Sequence, residues 1–188
     1  MKKVFMIHGF KGEPNGGWRP WLMGELAKNN IWACSLEMPT PDLPVKEEWI
    51  ETIKNSVKDK TDEVYLIGHS LGVPAILRYL EILPVGLKIG GAVLVSGPIF
   101  EIKREKYERV DNFIRGSFDF NKIKNSCNHF TVIHGDNDPN VPVSDAEYLS
   151  KNLSCNLILI PNGYHLNGSA GFYQLPEALT SLLKMIKV

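Results

Sequence analysis

The residues most capable of chemistry lie in Gly68-His69-Ser70-Leu71-Gly72, which follows the apolar run Val64-Tyr65-Leu66-Ile67 and precedes a helical pattern. A G-x-S-x-G sequence between a strand and a helix is typical of a nucleophile elbow, a sharp turn that carries a reactive serine. The two glycines allow the tight bend and leave the Ser70 hydroxyl accessible above the end of the strand. A serine hydroxyl is a weak nucleophile by itself, so this interpretation requires a base and an acid elsewhere in the chain.

Residues that could serve as acid and base follow two later apolar runs. Asp136 and Asp138 come just after the run 130–133, and His165 comes soon after the run 157–160. In a parallel sheet flanked by helices, the groups that act on ligands lie at the carboxyl ends of the strands. The order serine, aspartate, histidine along the chain is the order that accompanies a nucleophile elbow on such a sheet. The sequence therefore predicts that these side chains meet the elbow serine at one edge of the sheet.

Each of these residue types has a role in acyl transfer. His165 would accept the proton of Ser70 and later return it to the leaving group. An aspartate beside the imidazole would hold the correct tautomer and stabilise the imidazolium that forms. Judged from the residues alone, both Asp136 and Asp138 can take the part of the acid.

The elements that must position these residues are short apolar runs. Most of them are continuously apolar rather than alternating, which is typical of strands covered on both faces. The six runs are 4–7, 31–36, 64–67, 92–95, 130–133 and 157–160. Strands that alternate with helices predict a parallel sheet with helices on both sides. We therefore expect an α/β fold, a three-layer α/β/α sandwich with about six mostly parallel strands, formed by residues 1–188 as one domain.

Helical patterns separate the apolar runs. The apolar stripe in 175–186 predicts a long helix near the end of the sequence. After Pro142, the residues Ser144 and Glu147 have the spacing of a capping box, which predicts a helix that begins there with Ser144 as its cap.

The segment 99–128 interrupts the alternation of strands and helices, because it is longer than an ordinary connection. Two interpretations fit it equally well. It could be a helix with a loop that lies over the carboxyl edge of the sheet as a small lid, or a crossover helix with a long loop. The sequence favours neither.

Composition and charge limit the classes of function. The chain has 188 residues, zero formal net charge and no basic block, which gives no support to nucleic-acid binding. No apolar stretch approaches the roughly 20 residues of a membrane-spanning helix. Cys34, Cys127 and Cys155 show no C-x-x-C spacing and are expected to be buried free thiols in a reducing compartment, which indicates a cytoplasmic protein. No histidine pair has zinc-ligand spacing and no glycine loop resembles a phosphate-binding one, so neither metal nor cofactor is predicted.

Five segments spread along nearly the whole chain carry a family resemblance. They are His8-Gly9-Phe10, Gly17-Trp18-Arg19-Pro20-Trp21-Leu22, Gly68-His69-Ser70-Leu71-Gly72, Gly135-x-x-Asp138-x-x-Val141-Pro142 and Gly163-Tyr164-His165. In these segments the sequence resembles the α/β hydrolases, and more narrowly the small serine hydrolases of the retinoblastoma-binding protein 9 and YdeN type. The resemblance implies a compact fold with a minimal lid. It also implies that the aspartate before x-x-Val-Pro, Asp138 rather than Asp136, is the acid of a catalytic triad.

The oxyanion hole of such a site is expected to consist of two backbone N–H groups. Leu71, at the start of the helix after the elbow, should supply one, and Phe10, in the loop after the first strand, should supply the other. In another serine hydrolase, loss of one such donor raises the barrier by about 2.7–4 kcal/mol. His8 is expected to hold the oxyanion loop by hydrogen bonds rather than to act as the base.

Aromatic residues near the predicted site are candidates for the walls of a substrate pocket. We predict that Trp18, Phe100 and Tyr164 contact the substrate, whereas Trp21, on the same helical face as Trp18, is more typical of a core residue. The neutral surface favours a small substrate with a modest apolar acyl group over a highly charged one.

These residues together predict an enzyme, a serine hydrolase that cleaves a small ester, thioester or amide through an acyl-enzyme on Ser70, with His165 and Asp138 as partners. Carboxylesterase-like activity is expected, and peptidase or amidase activity fits the same chemistry. The alternative is a protein-binding module on a hydrolase fold with little or no catalysis, although the sequence does not indicate a protein partner. The presence of all three residues favours the enzyme, because decay of an active site is expected to remove one of them.

Overall fold

The fold is seen in a computed structural model, which describes residues 1–58, 62–103 and 105–187. Within these ranges the strands are β1 Lys3–Ile7, β2 Trp32–Ser35, β3 Val64–His69, β4 Gly91–Val95, β5 Phe130–Gly135 and β6 Asn156–Ile160. They form one sheet in the order β2-β1-β3-β4-β5-β6, and every neighbouring pair is parallel. Each strand coincides with one of the six apolar runs. The predicted α/β fold is confirmed, with a sheet that is entirely parallel over the described residues.

Helices connect the strands and cover both faces of the sheet. They are α1 Arg19–Lys28, α2 Lys46–Ser56, α3 Gly72–Glu81, α4 Glu108–Ile114, α5 Phe120–Asn125, α6 Val143–Leu153 and α7 Pro176–Lys187. Apolar residues of α1 and α7 pack in one core cluster, and those of α2 to α6 pack in a second cluster. The predicted three-layer α/β/α arrangement is therefore confirmed.

Burial follows the position of each strand in the sheet. Every residue of β3 and β4, at the centre, is buried, which explains why the runs 64–67 and 92–95 within them are continuously apolar. The edge strands β2 and β6 are partly exposed, with Trp32 and Leu159 each 44% exposed. The continuous apolar pattern therefore locates all six strands, but coverage of both faces holds for the inner strands and not for the edges.

The start of α6 differs from the predicted capping box. Pro142 occupies the N-cap position with an extended backbone (φ −63°, ψ 145°), and no side chain caps the first turn. Ser144 lies inside the helix, so the prediction that it caps the helix is wrong. The fixed φ of proline suits the residue just outside a helix, which moves the helix start to Val143.

The segment 99–128 packs against α3. Helices α4 and α5 both contact α3. Phe113 of α4 is buried, and its ring lies 5.5 Å from that of Trp49. Near the beginning of the segment, the Tyr107 ring lies 6.2 Å from that of Phe10 in the loop after β1. The segment therefore joins β4 to β5 across α3 and reaches the loop after β1 at Tyr107.

One side chain of α3 holds the connection between α4 and α5. The Arg78 guanidinium donates to five consecutive backbone carbonyls at 2.9 to 3.3 Å, those of Phe113, Ile114, Arg115, Gly116 and Ser117. It also pairs with Glu81 at 2.8 Å and lies 4.0 Å from the centre of the Phe118 ring. The carbonyls that α4 leaves unpaired at its end are thus satisfied by a single cation.

Replacement of Arg78 by Met should destabilise the protein by about 2–3 kcal/mol, because the carbonyls at the end of α4 lose a charged donor. Urea unfolding followed by circular dichroism measures the change. The control is Lys54→Met, which breaks the exposed pair of Lys54 with Glu51 on α2 and should cost less than about 0.5 kcal/mol. A loss for Arg78→Met no larger than that of the control would contradict the role assigned to Arg78.

Candidate active site

The carboxyl ends of the strands lie side by side at one edge of the sheet. Ile7 pairs with Gly68 across β1 and β3, and His69 pairs with Val95 across β3 and β4. The residues that follow these ends therefore emerge close together, as the strand order predicts. They include His8 after β1, Ser70 after β3, Asp138 after β5 and His165 after β6.

Ser70 occupies the turn between β3 and α3 with a left-handed backbone (φ 53°), a conformation that is strained for a residue other than glycine. Its N–H donates to the Val95 carbonyl at 2.9 Å, which holds the turn on the sheet. A Cβ on Gly68 would lie 2.7 Å from the Gly72 carbonyl carbon, and a Cβ on Gly72 would lie 2.4 Å from the Ile7 oxygen. The G-x-S-x-G spacing is therefore needed for the close approach of three backbone segments.

Ser70, His165 and Asp138 form a continuous hydrogen-bonded chain. The Ser70 Oγ lies 3.0 Å from His165 Nε2, and His165 Nδ1 lies 2.7 Å from Asp138 Oδ2. The Asp138 side chain is fully buried, and that of His165 is 11% exposed. Because an ionised carboxylate only accepts hydrogen bonds, the proton of the neutral imidazole lies on Nδ1 and Nε2 is left to accept the proton of Ser70.

The carboxylate of Asp138 is held by its own loop. Its Oδ1 accepts the N–H groups of Asn140 and Val141 at 2.8 and 3.1 Å, which leaves Oδ2 to face His165. Beside it, the fully buried His134 donates from Nε2 to the Val141 carbonyl at 3.0 Å and lies 3.7 Å from Asp138 Oδ2. The carboxylate therefore has a fixed orientation in which one oxygen meets the imidazole.

The two residues before Asp138 hold the backbone of the histidine loop. Oδ1 of Asp136 accepts the Asn162 N–H at 2.8 Å, and Oδ1 of Asn137 accepts the Tyr164 N–H at 2.7 Å. The structure thus separates the two candidate aspartates. Asp138 contacts the imidazole of His165, and Asp136 contacts the main chain at Asn162, three residues before His165.

Two further donors bind the histidine loop from the other side. His69 donates from Nε2 to the His165 carbonyl at 2.8 Å, and Trp18 donates from Nε1 to the Leu166 carbonyl, also at 2.8 Å. Burial lowers the pKa of His69 well below its ordinary value, so its ring is neutral at physiological pH. The backbone is left-handed at Tyr164 (φ 46°) and Leu166 (φ 48°), and these hydrogen bonds hold that strained turn.

The predicted oxyanion donors lie on two loops that meet at Ser70. The N–H groups of Phe10 and Leu71 have no hydrogen-bond partner within the described part of the chain. A Cβ on Gly9 would lie 2.8 Å from the Ser70 Cβ, so the loop after β1 touches the elbow. His8 holds this loop through a hydrogen bond of 2.9 Å between its Nδ1 and the Gly9 carbonyl. Both backbone N–H groups are therefore candidates for the donors of an oxyanion hole beside Ser70.

The site opens into a cavity of about 610 Å³ that is lined by Ser70, His165 and Trp18 among others. Trp18 is only 1% exposed, so it presents little surface to this cavity. Phe100 lines a separate cavity of about 410 Å³, and Tyr164 lines one of about 400 Å³ that also borders His165. The structure therefore distributes the three residues predicted to contact substrate over three cavities.

The direction of Phe100 follows from a carboxylate in the first turn of α6. Asp145 accepts the N–H groups of Ile99 and Phe100 at 3.0 and 3.3 Å, and burial raises the pKa of Asp145. The Phe100 ring packs against that of Tyr148 with 5.0 Å between their centres. The backbone after β4 is thus tied to α6, and the Phe100 side chain follows it.

None of the three cysteines lines the cavity beside Ser70. Cys34, Cys127 and Cys155 are free, and burial raises the pKa of each thiol, that of Cys155 to about 11. Cys127 is buried and the other two are half-buried. Within the described ranges, no group of three His, Cys, Asp or Glu side chains could hold a metal ion. None of the described helices has the length and apolar character needed to cross a bilayer.

Sequence reasoning missed the parts played by three residues near the site. Asn137 and His69 bind the histidine loop, and Arg19, only 6% exposed, lines the cavity beside Ser70. All three lie inside the motif segments, where the pattern points to a neighbouring residue instead. A side chain next to a motif has no periodicity or spacing of its own, so its contacts alone show what it does.

Known proteins are similar to this chain in sequence and fold. The sequence model of the family described as serine hydrolase matches residues 4–184. YdeN of Bacillus subtilis (strain 168) is 37% identical over 183 residues, which cover 96% of this chain and 95% of YdeN. Serine hydrolase RBBP9 of Rattus norvegicus is 23% identical over 168 residues, which cover 89% of this chain and 87% of that protein.

Solved structures agree with these relatives. The crystal structure of the ydeN gene product from B. subtilis has a TM-score of 0.94 at 34% identity, and the match covers 100% of both chains. Est1E from Butyrivibrio proteoclasticus has a TM-score of 0.75 at 16% identity, covering 100% of this chain and 89% of Est1E, and supports the fold alone. The fold is that of the α/β hydrolases. Within that class, the chain belongs to the serine hydrolase family, as a small member similar to YdeN and RBBP9.

Replacement of Trp18 by Phe should lower turnover of a 4-nitrophenyl ester about tenfold, because the Leu166 carbonyl loses its donor and the adjacent His165 loses positional support. The control is Tyr65→Phe, since Tyr65 is also buried and donates to a backbone carbonyl, that of Met185, near the amino end of β3. Both variants should lose about 1–2 kcal/mol of stability in urea unfolding. The slower turnover should be confined to Trp18→Phe, and equal turnover of the two variants would contradict this role of Trp18.

Proposed function

We propose that this protein is a serine hydrolase that acts through an acyl-enzyme, with Ser70 as nucleophile, His165 as base and Asp138 as the acid that orients the base. The observation that carries the proposal is the unbroken chain of hydrogen bonds, 3.0 Å from Ser70 to His165 and 2.7 Å from His165 to Asp138. Membership of the serine hydrolase family supports hydrolysis as the reaction.

In acylation, the Ser70 Oγ attacks the carbonyl carbon of the substrate while its proton passes to His165 Nε2. The electron pair of the carbonyl bond moves to oxygen, and the N–H groups of Phe10 and Leu71 donate to this oxyanion. Collapse of the tetrahedral intermediate breaks the bond to the leaving group. That group takes the proton from His165 and departs as an alcohol, thiol or amine. Asp138 stabilises the imidazolium between these two proton transfers.

Deacylation repeats these steps with water as the nucleophile. His165 takes a proton from a water molecule as its oxygen attacks the acyl carbon, and collapse returns the proton to Ser70 and releases a carboxylic acid. The His165 side chain borders the open cavity and is 11% exposed, so water can reach it.

The substrate class that fits this site is a small ester, thioester or amide. Phe10, Pro41 and Tyr173 supply apolar surface in a cavity of about 610 Å³, a size suited to a small molecule. Carboxylesterase-like activity is favoured over amide cleavage, because an amine must be protonated before it can leave, whereas an alcohol or thiol is a better leaving group.

The state of the cysteines supports a cytoplasmic location as part of this proposal. Cys34, Cys127 and Cys155 are free thiols. Free thiols persist in reducing compartments, whereas exported proteins commonly form disulfides.

A fluorophosphonate probe should label the wild-type protein stoichiometrically, because an activated serine attacks phosphorus and displaces fluoride. Ser70→Ala should abolish labelling and His165→Ala should strongly reduce it, as measured by intact-mass spectrometry with peptide mapping. Ser144→Ala, on the exposed side of α6, is the control and should label like the wild type. A folded wild-type protein that ignores the probe would overturn the proposal and favour the protein-binding alternative.

Replacement of Asp138 by Asn should lower kcat about 10⁴-fold, the effect of the same change in another triad. The N–H groups of Asn140 and Val141 would keep the remaining oxygen, so the new amide N–H₂ would face His165. The imidazole would then carry its proton on Nε2, where it cannot accept the proton of Ser70. Steady-state hydrolysis of a 4-nitrophenyl ester measures the loss.

The matched control is Asp136→Asn, which keeps an oxygen for the Asn162 N–H. It should lower kcat less than about tenfold, because the loop remains bound and the imidazole keeps its partner. Circular dichroism and urea unfolding establish that both variants are folded. If Asp136→Asn were the more damaging change, the role of the acid would move to Asp136.

A further inference from the structure

The cavity beside Ser70 contains one buried charge that the proposed hydrolysis does not use. Four charged side chains line this cavity, those of Lys11, Glu13, Arg19 and Asp42. Three of them are exposed and interact mainly with solvent, whereas Arg19 is only 6% exposed. Solvent therefore screens the charge of Arg19 much less than it screens the other three charges.

The hydrogen bonds of Arg19 are incomplete. Its Nε donates to the Pro14 carbonyl at 3.3 Å and its Nη2 donates to the Glu13 carbonyl at 2.7 Å. Its Nη1 has no partner among the described residues, and no carboxylate among them pairs with the guanidinium. Nη1 keeps some contact with solvent, and Arg19 lines the cavity beside Ser70.

Burial of an unpaired cation is costly, and proteins usually pair it with an anion. Burial lowers the pKa of Arg19 to about 10, yet the side chain stays protonated at neutral pH. Neutral carbonyls satisfy part of the guanidinium, and Glu13, which raises the pKa of Arg19 without forming an ion pair with it, offsets the effect of burial only in part. The remaining donor is therefore suited to an anionic group that enters from the cavity.

The start of α1 adds a second positive field at the same place. Arg19 is the first residue of this helix, no side chain caps it, and its first turn contains no acidic residue. Gly17 and Trp18, which directly precede the helix, line the cavity together with Arg19. The N-terminal end of a helix carries partial positive charge and favours anions, so helix and guanidinium act in the same direction.

We propose that Arg19 and the N-terminal end of α1 bind a carboxylate of the substrate, which is therefore an ester, thioester or amide with a carboxylate away from the bond that is cleaved. This inference rests on the proposed function, because it concerns the substrate that Ser70 attacks. One singly charged carboxylate balances one guanidinium, whereas a phosphate monoester carries about two charges at pH 7. Ser70, His165 and Arg19 all line the same cavity, so one small molecule can contact Ser70 and Arg19 together. This substrate differs from the apolar acyl group that the neutral composition favours, because it carries one carboxylate.

The test compares substrates that differ in one carboxylate. On the acyl side, mono-4-nitrophenyl adipate is compared with 4-nitrophenyl hexanoate, which has the same chain length and leaving group. On the leaving-group side, the acetyl thioester of 3-mercaptopropionate is compared with that of its methyl ester. With spontaneous hydrolysis subtracted, the wild type should prefer the carboxylate member of at least one pair by about 10- to 100-fold in kcat/KM. Absence of preference in both pairs would overturn the proposal.

Variants then assign the preference to Arg19. Arg19→Gln keeps an amide donor for the loop but removes the charge, and should lower kcat/KM for the carboxylate substrate about 10- to 100-fold. The uncharged substrate should change less than about threefold, and Lys28→Gln, at the exposed far end of the same helix, should leave the preference unchanged. Equal losses on both substrates would show that Arg19 only supports the loop. If Arg19→Gln does not fold, Arg19→Lys replaces it. This variant should retain part of the preference for the carboxylate substrate, and its kcat/KM for the uncharged substrate should not exceed that of the wild type.

A binding measurement separates this inference from the proposed function. Isothermal titration of Ser70→Ala does not depend on turnover and compares monomethyl adipate, which carries one carboxylate, with methyl hexanoate, which carries none. Monomethyl adipate should bind about tenfold more tightly. The difference should vanish when Arg19→Gln is added. Tight binding of monomethyl adipate by a protein that resists the fluorophosphonate probe would refute the hydrolase and keep the carboxylate site. Labelling by the probe without any preference for monomethyl adipate would refute the carboxylate site and keep the hydrolase.

Discussion

The imidazole of His165 must direct its Nδ1–H towards Asp138 and the lone pair of Nε2 towards Ser70, and the rest of the site depends on that orientation. Two torsions set the direction of a histidine ring, so the orientation lasts only if the backbone beneath it is held. Here the two residues before Asp138 accept main-chain N–H groups of the histidine loop, while an indole and a second imidazole donate to its carbonyls. The loop is bound from both sides, and its left-handed residues stay in place.

This support is available because parallel strands end together. Ser70 can approach the loop after β1 only because Gly9 has no side chain, and the first turn of α3 can approach β1 only because Gly72 has none. At the same edge of the sheet, the N–H groups of Phe10 and Leu71 have no partners in the described chain. In the proposed acyl-enzyme mechanism, these two backbone donors are in place before the substrate binds, which avoids a cost of reorganisation during the reaction.

Charge is used differently in two parts of the molecule. Arg78 is surrounded by carbonyls and a carboxylate, so its charge is fully engaged in holding the connection between α4 and α5. Arg19 is also buried, but carbonyls meet only part of its guanidinium and no described carboxylate forms an ion pair with it. The comparison explains why Arg78 is assigned to stability and Arg19 to recognition, because a buried cation is costly unless an anion balances its charge.

The sequence by itself determined the sheet, the elbow and the residue types of the site. Continuous apolar runs mark inner strands because water is excluded from both their faces, and the glycines beside Ser70 mark a turn that no other residue allows. Residue types alone left Asp136 and Asp138 equal as candidates, and the resemblance to small serine hydrolases pointed to Asp138. Contacts between distant segments were decided by the tertiary structure alone, such as the indole of Trp18 on the Leu166 carbonyl and the direction of Phe100. Such contacts depend on how loops pack after the sheet has formed, and no local pattern of residues encodes them.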